Sequence, residues 1–315
     1  MIRKIKSKLV LNLIFENLQK RKKLKILKHN KEMLNKLNIK LKDFQDYKTL
    51  KELDLKFGFN IKDIDISKID LSNKVKGNEI LEYINDIEFR KLRELNMKNN
   101  LISDIKILEN VKMANLEILN LMGNKISDIN SLEKVTLKKL QKLDSSYNEI
   151  SNINILSKVN FSRLKELYLY NNEISDINIL GYVKFDRLEI LNLGSNKISN
   201  INILANVNFQ ELKKLYLYNN NISDINVLEK VKFEKLEVLN LCYNKISDIN
   251  ILAKVNFKKL KKLDLFSNEI SDIKVLDRIV LKDLEILNLG ENNINKVENL
   301  YIIENLKYKI PILFL

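Results

Sequence analysis

The chain has 315 residues, of which 45% are hydrophobic and 30% are charged, with a single Pro and six Gly. This composition is ordinary for a folded chain and argues against long linkers and low-complexity segments. The formal net charge is +14, and residues 1–50 hold 15 Lys/Arg against 4 Asp/Glu, so the basic character belongs mainly to the N-terminal segment. No apolar run approaches the roughly 20 residues that a membrane-spanning helix requires, so we expect no membrane insertion.

Cysteine usage indicates the compartment. Cys242 is the only cysteine, so no disulfide can form within the chain, and we expect a reducing environment in the cytoplasm or nucleus. The apolar run from Leu9 to Phe15 is interrupted by Asn12, and no small-residue cleavage site follows it, so we do not predict a signal peptide. The basic residues are mostly Lys, 48 of 55, which we attribute to overall composition, so we do not expect nucleic-acid binding.

Residues 1–47 form the first predicted segment. Apolar residues recur at helical spacing between residues 2 and 38, which predicts two or three short helices. Such helices would cap the first apolar layer of a following solenoid.

A degenerate F-box is the alternative interpretation of residues 9–38. The resemblance is carried by the run Leu11-x-x-Ile14-Phe15-x-x-Leu18, then Leu24, a basic patch near Lys28 and Lys31, and Leu34. In the F-box family this segment precedes leucine-rich repeats, so the resemblance implies a substrate receptor of a ubiquitin ligase.

From residue 48 to 315 the chain is organised by a repeat of 24 residues. Residues 50–92 hold frayed copies, and regular copies run from about residue 92 to 297. One Asn recurs at constant spacing, with no insertion or deletion between copies: Asn100, Asn124, Asn148, Asn172, Asn196, Asn220, Asn244, Asn268 and Asn292. Fixed self-similarity of this kind predicts a solenoid whose atypical terminal copies serve as caps.

The consensus L-x-x-L-x-L-x-x-N-x-I-S-D-I-x-x-L resembles the leucine-rich repeat, and its I-S-D-I tail resembles the internalin and phosphatase-1-regulatory-subunit type. The resemblance implies an α/β fold, a solenoid with a curved parallel β-sheet on its concave face, to which residues 1–47 would add a small helical cap. It also implies a binding surface on the concave face and, by the repeat subtype alone, a regulatory subunit of a protein phosphatase. The relatives repeat about every 22 residues, and the two additional residues here predict a bulkier convex side.

The residue pattern of one repeat predicts its local structure. Leu191 and Leu193 are two residues apart, so in a strand both point to the core. Asn196 follows where the chain turns inward, and its amide can pair with backbone groups that the turn leaves open, which predicts a buried Asn ladder. The Ser-Asp pairs at 103–104 and 223–224 are predicted to cap a short helical turn on the convex side.

Two positions depart from the pattern. Ser145 replaces a strand Leu, which predicts locally weakened packing. The apolar tail, residues 310–315, is predicted to cover the last repeat as a C-terminal cap, with Pro311 limiting further strand pairing.

The variable positions of the concave face carry the functional signal. One column alternates large and small residues: Lys98, Met122, Ser146, Tyr170, Gly194, Tyr218, Cys242, Phe266 and Gly290. Since strands lie about 4.8 Å apart, Tyr170 and Tyr218 should stand about 10 Å apart and leave a slot for a side chain across Gly194. The adjoining columns complete the predicted partner-binding set, which is Tyr147, Glu166, Tyr168, Tyr170, Lys214, Tyr216, Tyr218, Tyr243, Asp264 and Phe266.

Tyr supplies a large contact area at low entropy cost together with a polar group. We therefore interpret the chain as a non-enzymatic scaffold that binds a protein or peptide on its concave Tyr-rich face. The alternative is that tandem duplication copied these residues, since residues 164–207 and 212–255 are near-duplicates. The identity of the partner and the oligomeric state stay open.

No catalytic constellation is recognisable. His29 is the only histidine and lies outside the repeats, so Cys242 has no histidine partner within them. Asp144 and Asp264 are five strands apart, about 24 Å, which is too far for a carboxylate pair. The chain has no glycine-rich phosphate-binding motif and no Cys/His cluster. We therefore expect no enzyme activity, cofactor, metal or small-molecule substrate.

Overall fold

A computed structural model describes residues 68–70, 72–73, 92–111, 113–279 and 282–315. The predicted helical cap of residues 1–47, the F-box-like segment, His29 and most of the frayed repeats of residues 50–92 lie outside these ranges. Within the described ranges, no helix is long and apolar enough to cross a membrane.

The described residues form one curved sheet of eleven parallel strands, arranged in sequence order. This confirms the predicted α/β leucine-rich-repeat solenoid. The strands are β1 Lys68–Asp70, β2 Glu94–Asn96, β3 Ile118–Asn120, β4 Lys142–Asp144, β5 Glu166–Tyr168, β6 Ile190–Asn192, β7 Lys214–Tyr216, β8 Val238–Asn240, β9 Lys262–Asp264, β10 Ile286–Asn288 and β11 Ile312–Phe314.

The register is the same at every junction between regular repeats. The central Leu of each strand lies opposite the central Leu of the next, as Leu167 lies opposite Leu191. These leucines are at most 1% exposed and form the inner layer of one continuous core. Because each repeat is too thin to bury its own apolar face, stacking of neighbours buries it.

Short 3₁₀ helices occupy the convex side of the repeats, where the sequence predicts a helical turn. Those in the described residues are Lys106–Asn110, Asn130–Glu133, Asn154–Ser157, Asn178–Gly181, Asn202–Ala205, Asn226–Glu229, Asn250–Ala253 and Lys274–Asp277. The side chain of the Asp or Asn in the I-S-D-I tail supports each start, as Asp224 Oδ1 accepts a hydrogen bond from the Asn226 N–H at 2.8 Å. The capping oxygen therefore comes from the Asp, while an Ile directly precedes the helix.

Five consecutive repeats, from Phe161 to Phe257, place a Phe between the convex turn and the next strand. Phe161, Phe185, Phe209 and Phe233 are among the largest fully buried side chains. The rings of Phe161 and Phe185 stack with centroids 6.3 Å apart. These rings add apolar side chains to the core next to the convex turn; the bulkier convex side stays a prediction.

The repeated Asn residues form a ladder that joins each repeat to the one before it. Asn196 Nδ2 donates to the carbonyl of Leu193 in its own repeat and to that of Leu169 in the preceding repeat, both at 3.0 Å. Its Oδ1 accepts from the Ile174 N–H, also in the preceding repeat, at 3.0 Å. One side chain therefore satisfies backbone groups of two repeats that no strand or helix pairs.

The C-terminal tail closes the last repeat. Helix α1, Leu300–Lys309, buries Ile303 and Leu306 against the core, and Ile310 follows them at 6% exposure. Contrary to the expectation for Pro311, the chain pairs at once with β10 as strand β11, because the ladder begins with the Ile312 N–H, which donates to the Glu285 carbonyl at 3.0 Å. Pro311 therefore loses no hydrogen bond at the strand start.

Ser145 lies where the neighbouring repeats have a core Leu. It is 1% exposed, and within the described part of the chain its Oγ has no hydrogen-bond partner; the same holds for Ser146. An unpaired buried hydroxyl costs free energy in addition to the missing apolar volume.

We predict that Asn196→Ala lowers the free energy of unfolding by about 2 to 4 kcal/mol, because it leaves several buried backbone groups unpaired. Urea unfolding followed by circular dichroism measures the change. Asn206→Ala is the control, since Asn206 is exposed on the convex side and its change should stay within about 0.5 kcal/mol. Equal effects of the two substitutions would contradict the ladder.

We predict that Ser145→Leu raises the free energy of unfolding by about 1 to 3 kcal/mol, because it removes an unpaired hydroxyl and restores the apolar column. Ser145→Ala, which removes only the hydroxyl, should give a smaller gain. The urea midpoints of the two variants test this prediction. A Leu variant less stable than the Ala variant would mean that the neighbouring repeats leave no space for a Leu side chain at position 145.

Candidate functional site

Four tyrosines come together on the concave face of the middle repeats. Tyr168 and Tyr216 are the last residues of β5 and β7, and Tyr170 and Tyr218 lie two residues beyond the strand ends. All four side chains are half-buried, with their rings on one surface. The uniform register fixes their relative positions.

Tyr168 and Tyr216 occupy a position that has a backbone role in the other regular repeats. There an Asn or Asp Oδ1 accepts a hydrogen bond from the N–H two residues later at 3.0–3.3 Å. The residues concerned are Asn96, Asn120, Asp144, Asn192, Asn240, Asp264 and Asn288. A Tyr side chain has no oxygen that reaches this N–H, so the two repeats exchange a local hydrogen bond for an aromatic surface.

Tyr168 lies in a small polar cluster. Its hydroxyl donates to Glu166 Oε2 at 3.1 Å, and Lys142 Nζ lies 2.9 Å from the same carboxylate oxygen. Lys142 Nζ also stands 4.7 Å from the centroid of the Tyr168 ring, within cation–π range. Burial and the Glu166 carboxylate raise the pKa of Tyr168 well above its ordinary value.

The other three tyrosines also hold their protons more tightly than usual. Burial raises the pKa of Tyr170, with Asp144 as the next cause, and burial likewise raises the pKa of Tyr216. Burial raises the pKa of Tyr218, although Asn192 opposes this by hydrogen bonding. All four hydroxyls are therefore neutral hydrogen-bonding groups at physiological pH.

The charged members of the predicted set differ in their surroundings. Glu166 pairs with Lys142 on the preceding strand, whereas Lys214 forms no ion pair among the described residues. Asp264 is only 7% exposed and uses its oxygens on the Phe266 N–H and on Lys262, 3.4 Å away. Asp264 therefore serves the local structure and offers little surface to a partner.

The slot expected across Gly194 is filled in the structure. A Cβ atom on Gly194 would lie 2.3 Å from Cε1 of Tyr218, so the Tyr218 ring covers this glycine. The expectation treated both rings as upright. In the structure the Tyr218 ring leans by one strand and uses the space that the missing side chain leaves.

Tyr147 and Tyr243 form the rim of the face on the side of the loops. Tyr147 packs edge-on against Tyr170 with centroids 5.0 Å apart, and Tyr243 packs similarly against Phe266 at 5.3 Å. Both rim tyrosines are about half exposed, at 46% and 53%. The loop rim thus presents aromatic edges to solvent.

The backbone conformation of the rim was missed by sequence reasoning. Tyr147 has φ 52° and Tyr243 has φ 54°, the left-handed region that disfavours bulky residues. The available signal was the same position in four other repeats, which hold Asn99, Gly123, Asn171 and Asn219, residue types that tolerate positive φ. The remaining repeats hold Ser195, Ser267 and Glu291 there, also with positive φ. An aromatic residue there costs free energy that packing against its neighbour offsets.

The described residues bear on two features that catalysis often uses, a reactive thiolate and a cluster of metal ligands. Burial raises the pKa of the Cys242 thiol to about 11, so a thiolate is scarcely populated at neutral pH. No group of three His, Cys, Asp or Glu side chains within these residues is placed to hold a metal ion.

Comparisons with known proteins agree with the geometry. A family model described as "Leucine Rich repeats (2 copies)" matches residues 90–134, 162–206 and 210–254, and one described as "Leucine Rich repeat" matches residues 258–273. A sequence search of curated proteins gave no significant match.

Solved structures share the fold. Internalin C2 of Listeria monocytogenes is 28% identical, with a TM-score of 0.53 over 64% of this chain and 80% of its own. A second internalin of that organism, inlF, is 25% identical, with a TM-score of 0.51 over 97% and 90% of the two chains. The ectodomain of the plant receptor kinase GASSHO1/SCHENGEN3 from Arabidopsis thaliana, in complex with CASPARIAN STRIP INTEGRITY FACTOR 2, is 21% identical, with a TM-score of 0.56 over 75% of this chain and 28% of its own.

Repeat sequence, strand register and these likenesses lead to the same conclusion: the chain is a leucine-rich-repeat protein with repeats of the internalin type.

Proposed function

We propose that the chain is a non-enzymatic scaffold that binds a protein or peptide segment on the concave face around Tyr168, Tyr170, Tyr216 and Tyr218. Leucine-rich-repeat proteins typically serve as interaction modules that bind proteins or peptides. The ectodomain of the plant receptor kinase has this fold and is in complex with CASPARIAN STRIP INTEGRITY FACTOR 2. Because the core positions are nearly the same in every repeat, recognition of a particular partner must rest on the surface residues that vary between repeats.

The observation that carries the proposal is the exchange of Asn or Asp for Tyr at positions 168 and 216. Every other regular repeat uses this position to satisfy a backbone N–H group, so the exchange costs local stability. Stability given up on a half-exposed surface is typical of a site kept for binding. Duplication of repeats alone does not explain the two tyrosines, because it could equally have copied a repeat that holds Asn at this position, such as that of Asn192.

The neighbouring groups suit a polypeptide. Half-buried rings give contact area, and neutral hydroxyls can donate to backbone carbonyls of a partner. Lys214, half-buried and without an ion pair in the described structure, adds a cation at the edge of the same face. The surface therefore offers aromatic contacts at its centre and polar contacts at its margin, as protein interfaces do.

We predict that Tyr170→Ala/Tyr218→Ala weakens partner binding by about 100-fold or more, since each Tyr of an interface centre contributes about 1.4 kcal/mol or more. The assay is selection from a displayed random-peptide library on the immobilised full chain, followed by affinity measurement for the selected peptides. Tyr182→Ala/Tyr301→Ala is the matched control, because both tyrosines are 73% exposed and lie away from the concave face. Peptides that bind both variants equally would overturn the proposal.

We predict a difference between wild type and Tyr168→Phe at alkaline pH. The folded-state pKa of Tyr168 is raised above its ordinary value of 10.0, so the stability that it contributes is complete below pH 10 and is lost as pH rises beyond it. Wild type should therefore lose more free energy of unfolding between pH 9 and pH 11 than the Phe variant. Parallel pH profiles in urea unfolding would contradict the assigned environment of this hydroxyl.

A further inference from the structure

The last strand of the sheet, β11, has a free edge. It pairs with β10 on one side, and within the described ranges no strand lies on the other. On the paired side the Ile312 N–H donates to the Glu285 carbonyl at 3.0 Å, and the Phe314 carbonyl accepts from the Leu289 N–H at 2.8 Å. These contacts fix which backbone groups of β11 point away from β10.

The backbone groups at the free edge belong to Pro311, Leu313 and Leu315. The N–H and the C=O of a trans peptide point in opposite directions, so the Pro311 carbonyl and the Leu315 N–H face away from β10. The alternation along a strand places the N–H and the C=O of Leu313 on the same side. Along the chain the free edge therefore reads acceptor, donor, acceptor, donor.

This order is complementary to itself when a second copy of the strand is turned by half a turn. In an antiparallel pair of β11 strands with Leu313 opposite Leu313, every donor at the edge meets an acceptor. Each Leu313 exchanges hydrogen bonds with its counterpart, and the Leu315 N–H of each copy donates to the Pro311 carbonyl of the other. A symmetric pairing of this kind is what an isologous dimer interface requires.

Pro311 and Lys296 favour a second copy over an unrelated strand. Proline has no N–H, so Pro311 offers no donor to the main-chain oxygen of Leu315 in an opposite copy. That oxygen already accepts a hydrogen bond from Lys296 Nζ at 3.2 Å. A second copy therefore does not need the donor that Pro311 lacks, whereas a continuous strand of another protein would leave the carbonyl opposite Pro311 unpaired.

The exposed side chains of β11 fit the same occupant. Ile312 and Phe314 are 44% and 52% exposed, and the register places them in the concave columns of Ile286 and Asn288. In the antiparallel pair Ile312 lies opposite Phe314 of the other copy, at a non-hydrogen-bonded position where side chains approach most closely. A β-branched residue opposite an aromatic one is a favourable cross-strand pair. Edges that are protected against pairing usually carry charged side chains instead.

We propose that the chain forms a two-fold symmetric dimer in which the β11 strands of two copies pair antiparallel through Leu313. The pairing joins the two sheets edge to edge, so the concave faces of both copies become one surface. This inference does not depend on the proposed function. A partner with two binding segments could engage the Tyr-rich faces of both copies and gain avidity.

The test is analytical ultracentrifugation of the full chain at concentrations from about 1 µM to about 100 µM. We expect the mean mass to rise from that of one copy, 37.1 kDa, toward twice that value. Ile312→Lys/Phe314→Lys places like charges opposite each other in the pair and should weaken the dimer by about 100-fold or more. Circular dichroism shows whether this variant keeps its fold.

Two further variants separate the pairing from effects of charge and folding. Tyr182→Lys/Asn206→Lys adds the same charge at exposed positions of the convex side and should change the dimer dissociation constant by less than about 3-fold. Ile312→Lys/Phe314→Glu replaces the same two apolar side chains as the double Lys variant, but each Lys then lies opposite a Glu of the other copy. We expect it to dimerise about 10-fold or more tightly than the double Lys variant, with a difference that shrinks as salt is added.

The measured masses decide the inference. A wild-type mass that stays at one copy over the whole concentration range overturns it. A dimer that withstands the double Lys substitution also overturns it, because that dimer uses another surface. Equal affinities of the Lys/Lys and Lys/Glu variants would overturn the antiparallel register, since only that register sets position 312 of one copy against position 314 of the other.

Discussion

The Asn ladder is the constraint on which the rest of the structure depends. Each Asn satisfies backbone groups of its own repeat and of the preceding one, so a repeat can turn inward only when its neighbour is in register. An unpaired buried amide or carbonyl is costly, which makes this coupling hard to replace. The ladder therefore fixes the height of every strand, and the leucine columns and the variable concave columns follow from it.

Because the strands pair in a uniform register, a fixed interval in the sequence corresponds to a fixed distance across the sheet. Twenty-four residues of sequence become one strand spacing of about 4.8 Å, so the near-duplicate repeats place the backbones of Tyr170 and Tyr218 two strands apart. Duplication and binding are thus compatible explanations of the concave face.

The same face is where the repeat departs from its most stable sequence. Two Asn-type positions hold Tyr, two left-handed positions hold Tyr, and the adjoining core column holds Ser145 with an unpaired hydroxyl. Each departure costs free energy that a repeat with Asn, Gly or Leu at the same position avoids. Their concentration around β4 to β9 supports a functional reason for the tyrosines. The structure gives no such reason for Ser145.

The sequence by itself determined the fold, the strand positions, the Asn ladder and the membership of each concave column, because a strict period leaves one solution for burial of the leucines. It did not determine how side chains share the space between columns. Only the tertiary structure decided that Tyr218 covers Gly194, that Glu166 pairs with Lys142, that Asp264 is buried and that Tyr147 adopts a left-handed conformation. The physical reason is that backbone register follows from hydrogen bonding and apolar period, whereas rotamers and ion pairs follow from contacts between neighbours that differ in sequence from repeat to repeat.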